Sequence, residues 1–118
     1  MFHQRSLWQY ALGQTTMKYQ VVLQFAADSM EDFDRLVALE DLLIEALGDL
    51  ATVDGHDFGS GQFNIFILTD EPDASFDKSH QIVTNRGIPN AMCSAYRELD
   101  RDNYVILWPS SLMEFSVL

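Results

Sequence analysis

The clearest alternation in the chain runs from Tyr19 to Phe25. Tyr19, Val21, Leu23 and Phe25 fall on one side, and Gln20, Val22 and Gln24 on the other. That period of two is the signature of a strand. The period then changes. Asp28 and Ser29 offer capping oxygens, each with an acid three residues on, Glu31 and Asp32. Met30, Phe33, Leu36, Val37, Leu43, Ile44 and Leu47 recur at helical spacing. Acidic Asp32, Asp34, Glu40, Asp41 and Glu45 mark the wet side, and Gly48 is a natural stop.

Further along, Leu50 to Asp54 reads as a short strand and Phe63 to Thr69 as a longer one. They form an antiparallel hairpin with a loop of about six to eight residues, longer than a tight turn needs. Thr69 or Asp70 caps a second, weaker helix, with Pro72 in its first turn and Asn85-Arg86-Gly87 at its end. Ala91 to Glu98 and Tyr104 to Trp108 read as two more strands joined by a polar turn. The predicted fold class is α+β: a ferredoxin-like β-α-β-β-α-β order with an additional C-terminal strand, an antiparallel sheet and both helices on one face. Residues 17–109 form the single domain, 1–16 an N-terminal arm or extension, and 110–118 a C-terminal tail; Met17 is an alternative start. Phe66 and Leu68 point away from Phe63, Ile65 and Ile67, beside Asn64. Apolar residues on both sides imply a covered second face. A homodimer, the arm and the tail are the candidate covers.

Composition narrows the partners. Eighteen acidic against 7 basic residues give a formal charge of −11. Phosphate-backbone binding needs clustered Lys and Arg, so nucleic acid and anionic membrane are excluded as expectations. No apolar run approaches the ~18 residues of a membrane span. A basic protein partner fits better. Cys93 is the only cysteine, which rules out an internal disulfide and suits a cytoplasmic location. With no Lys or Arg within three residues of it, Cys93 is expected to be a buried, inert thiol.

Candidate chemistry gathers in Asp54-Gly55-His56-Asp57-Phe58-Gly59-Ser60-Gly61. Asp54, His56 and Asp57 are ligand types suited to a divalent metal, yet no second histidine stands nearby. Gly59-Ser60-Gly61 resembles an anion cradle, but it lacks a Walker lysine and a strand follows it. His56 between two carboxylates has the form of an oriented base, with no nucleophile paired to it. A turn accounts for the same residues: Asp side chains bond turn amides, Asn64 bonds the loop backbone, and Asp70 caps a helix. Asp54, His56, Asp57, Ser60, Asn64 and Asp70 are thus the candidate ligand-binding residues. No catalytic residue and no cofactor is assigned.

The pattern Asp54-Gly55-His56-Asp57, Gly59-Ser60-Gly61, Asn64-Ile65-Phe66-Ile67, Thr69-Asp70 and Pro72 resembles a small bacterial cytosolic ferredoxin-like family. The resemblance implies a compact α+β domain and carries no catalytic residues. The expected function is a non-enzymatic, acidic protein-interaction or regulatory domain, immunity-like and homodimeric. The alternative is a small-molecule or metal-dependent enzyme, or a ligand sensor, using the segment 54–61.

Overall fold

The computed structural model describes residues 17–118. The arm assigned to residues 1–16 lies outside the described residues.

Alternation along Tyr19–Ala26 gives β1, and the amphipathic run Met30–Leu47 gives α1. They are followed by β2 (Ala51–Gly59), β3 (Gln62–Thr69), α2 (Pro72–Arg86), β4 (Met92–Glu98) and β5 (Val105–Trp108). The strands make one five-stranded sheet in the order β2-β3-β1-β4-β5, and every neighbouring pair is antiparallel.

Helix α1 begins where the capping pattern places it. Ser29 has extended backbone angles, and its Oγ accepts the Asp32 N–H at 3.1 Å. Gly48, with φ of 52°, ends the helix in a conformation that favours glycine. Leu36, Leu39, Leu43 and Leu47 are 0–1% exposed. Burying each contributes about 1.5–3 kcal/mol. They share one core with Phe76 and Val83 of α2, with Val21, Leu23 and Phe25 of β1, and with Phe63, Ile65 and Ile67 of β3. Both helices therefore lie on one face of the sheet.

Two assignments on α1 change. Glu40, expected on the wet side, is 7% exposed and points inward to a partner on β2. Ile44, expected in the core, is 53% exposed, and Met30 66%.

The second sheet face is also buried. Val22 and Ala95 are fully buried, and Phe66 and Leu68 are 3% and 1% exposed. Part of the face carries the tail: the Gln24 side-chain amide donates to the Ser116 carbonyl at 2.9 Å, and the Leu118 N–H donates to Gln62 Oε1 at 3.2 Å.

Candidate functional site

The segment expected to be a long loop is mostly strand. β2 continues to Gly59 and β3 starts at Gln62, so only Ser60 and Gly61 form the turn. Both have positive φ, 54° and 78°, as the two central residues of a type I′ hairpin turn require. Alternation persists beneath the polar composition. His56 pairs with Ile65 and Phe58 with Phe63, toward the helices, while Asp57 pairs with Asn64 on the second face. A register shift between Val53 and Gly55 adds the one residue that makes this possible. Asp54 sits in that bulge, 2% exposed, and Gly55 supplies a φ of 138°.

The candidate residues consequently separate. His56 faces α1. Its Nδ1 lies 2.7 Å from Glu40 Oε1, and a proton on Nδ1 makes this an N–H donating to the carboxylate. The ring stacks on Phe63 at 4.7 Å and meets Phe33 edge-on at 5.7 Å. Asp57, one residue later, is on the opposite side of the sheet.

On that side, a hydrogen-bonded row crosses four strands. Cys93 Sγ donates to Gln24 Oε1 at 3.2 Å, Gln24 Nε2 to Asn64 Oδ1 at 3.0 Å, and Asn64 Nδ2 to Asp57 Oδ1 at 2.9 Å. Gln62 Oε1 accepts from both amides at 3.2 Å. Asn64 is 1% exposed, so this row is what satisfies it, in place of the loop backbone expected from sequence. Burial pushes the Cys93 thiol pKa up, against thiolate chemistry. A cavity of about 410 Å³ opens at the end of the row, between Ser60, Gln62, Cys93 and Leu118.

Asp70 is at the other end of β3. Its Oδ1 accepts the Lys18 N–H at 3.0 Å instead of capping α2. Glu71 stands at the cap position with no side-chain cap bond. The nearest substitute is Thr69, whose Oγ1 accepts the Glu71 N–H at 2.9 Å and meets Ser75 Oγ at 2.7 Å. Arg97 donates to Gln20 Oε1 and to the carbonyls of Glu98, Leu99 and Arg101. It organises the β4–β5 turn.

Asp54, His56, Asp57, Asn64 and Asp70 therefore do not line one cleft. Among the described residues, no group of three or more His, Cys, Asp or Glu is placed to hold a metal ion. Glu40, Gln24 and Gln62 were missed as partners. Gln24 and Gln62 were legible as the polar residues beside Asn64 on adjacent strands; Glu40 was concealed by its acidic neighbours.

The outer face of α1 is an acidic surface. Asp34, Asp41 and Glu45 are exposed along it, with exposed Met30 and Ile44 among them. Arg35, the only basic residue of α1, is engaged elsewhere, 2.9 Å from Asp32 and 3.9 Å from Glu31. Asp34, Asp41 and Glu45 have no ion-pair partner among the described residues. The outer face of α2 instead mixes Asp73 and Asp77 with Lys78 and Arg86. Among the described residues, no helix is long and apolar enough to cross a membrane.

Comparison with known proteins found no matching family, curated protein or solved structure.

Proposed function

We propose that this chain is a non-enzymatic protein-interaction or regulatory domain, immunity-like in character, that meets a basic partner through the outer face of α1. The fold proposed for it is ferredoxin-like. The antiparallel order β2-β3-β1-β4 and the β-α-β-β-α-β succession support that reading, with β5 added beside β4. A bacterial, cytoplasmic setting belongs to the same proposal, through the family resemblance of segment 54–72.

One observation carries the interaction: α1 keeps carboxylates where they lower its own stability. Asp41 and Glu45 are four apart on one helix face, where like charges cost about 0.2–0.5 kcal/mol. Glu45 is also in the last turn, which contains no basic residue. An acid there opposes the helix dipole, an effect of about 0.3–1 kcal/mol. Exposed Ile44 among these carboxylates adds an apolar anchor within a charged surface, the composition of a contact patch more than of a solvated face. Homodimerisation had drawn on a second sheet face that needed a cover. The tail covers part of that face, and the proposal takes a basic partner, at α1, as the principal one.

The test separates stability from binding. Glu45→Lys with Asp41 retained should raise the melting temperature by a few degrees, because a lysine four residues after Asp41 attracts it and suits the C-terminal end of the helix dipole. The same variant should lose at least tenfold in association with the partner recovered from source-cell extract. Wild-type association should also weaken steeply between low and high salt. An association that survives both charge reversal and high salt contradicts the proposal.

A further inference from the structure

We infer that the cavity at the end of the sheet, where β1 begins and β4 turns into β5, binds a small organic monocarboxylate, with the Arg97 guanidinium as its anchor. The site shares no residue with the outer face of α1, so the inference goes beyond the interaction proposed above.

Arg97 is a half-buried cation that lacks an anion. Its Nε donates to Gln20 Oε1 at 3.1 Å, and its Nη1 to the carbonyls of Glu98, Leu99 and Arg101 at 3.3, 3.1 and 3.0 Å. All four acceptors are neutral. Among the described residues no carboxylate lies within ion-pair distance of Arg97, although the chain has 18 acids. Nor does Nη2 have a hydrogen-bond partner among the described residues. A guanidinium cannot shed its charge, and a charge drawn out of water is costly without an opposite one. The bonds to Nε and Nη1 also fix the plane of the group. Its remaining N–H donors are therefore oriented before any ligand arrives, ready for charge-assisted hydrogen bonds to a carboxylate.

Arg97 lines a cavity of about 340 Å³ together with Tyr19, Tyr96 and Arg101. That volume is at the small end of ligand pockets. Register explains the mixed lining. Arg97 pairs with Gln20 on the second face, while Tyr96 pairs with Val21 toward the helices, so the sheet end gathers residues from both faces. The rings of Tyr19 and Tyr96 meet edge-on at 5.7 Å and give the cavity aromatic surface. Arg101 adds a second cation. Its partner is Glu98 at 3.3 Å, and both are exposed, so that pair is weak and open to exchange with a ligand oxygen. The acids nearby select the ligand's charge. Glu98 lines the cavity, and exposed Asp100 and Asp102 stand in the adjoining turn. They oppose the second negative charge of a phosphate, whereas a single carboxylate is balanced by Arg97 alone. The aromatic surface then favours a carboxylate carried on a flat apolar body, and an aryl monocarboxylate is the ligand class.

Benzoate is the probe, titrated into the full chain while the Arg97 Nε–H NMR signal is followed. A saturable shift is expected, with acetate, which lacks the ring, binding at least tenfold more weakly. Inorganic phosphate should produce no saturable shift. Val105 lines the same cavity and is 50% exposed, so Val105→Glu adds a negative charge there without disturbing the core. That variant should bind benzoate at least tenfold more weakly, and Arg97→Gln should not bind it. An Arg97 signal that shows no saturable shift up to millimolar benzoate overturns the inference. Unchanged benzoate affinity in either variant overturns it equally. Should Arg97→Gln fail to fold, because the turn loses its bonds, the unaltered chain and Val105→Glu decide the matter. Phosphate that binds as tightly as benzoate, or acetate that does, overturns the ligand class.

Discussion

Asn64 shows how much a single position can conceal. In sequence it is a polar residue in an apolar strand, and that was enough to mark it as a candidate. Its role came only with the register that sets it between Gln24 and Asp57. Buried amides are tolerated when their hydrogen bonds are complete and costly when one is lost. Asn64→Leu leaves Gln24 Nε2 with fewer acceptors and Asp57 Oδ1 without its donor. We expect a loss of about 1–3 kcal/mol in denaturant unfolding. Replacing Gln24 and Asn64 together by Leu should cost less than the sum of the single changes, because both polar partners leave at once. Additive losses would mean that the row is not one unit. His56 and Asp57 carry the complementary lesson. Adjacent residues in a strand face opposite ways, so their closeness in sequence separated them in space.

Among the elements, α1 was the most legible and β2 the least. Ser29, the leucine spacing and Gly48 all specify the same helix. The second half of β2, past Asp54, reads as loop in sequence because Asp, Gly and His dominate its composition. The pairing of His56 and Phe58 with Ile65 and Phe63 preserves a strand there, and the bulge at Asp54 is what keeps the alternation in phase. α2 was placed correctly although Asp70 was given the wrong task, since Pro72 and Gly87 fix its ends by backbone geometry alone. The start of α1 also has a pH consequence. Asn90, the Asp28 N–H and Arg35 hold the Asp32 carboxyl below its ordinary value of 3.8. The folded state then binds that proton less readily than the unfolded chain. The contribution is present above the ordinary value and is lost as pH falls through the lowered one. Asp32→Asn should flatten the stability profile in that acid range and leave its slope near neutral pH unchanged. An unaltered acid limb would show that Asp32 does not contribute.

For the whole molecule, chemistry and charge lie on different surfaces. The residues that looked reactive in sequence complete the sheet: His56 is locked to Glu40 beneath α1, and Asp57 ends the row on the opposite face. The residues that looked like an ordinary wet helix face, Asp34, Asp41 and Glu45, are exposed carboxylates with no ion-pair partner among the described residues. Sequence revealed the acidic balance, but that the outer face of α1 keeps no basic residue among its acids depended on knowing that Arg35 turns to Asp32 and Asn90. The most direct test replaces Asp41 with a photo-crosslinking amino acid and, as a control, does the same at exposed Asp77 on α2. After irradiation with the partner-containing extract, position 41 should yield one discrete adduct that high salt removes, and position 77 none. Adducts from position 77 alone, or equal yields from both, would contradict a partner-binding role for the outer face of α1.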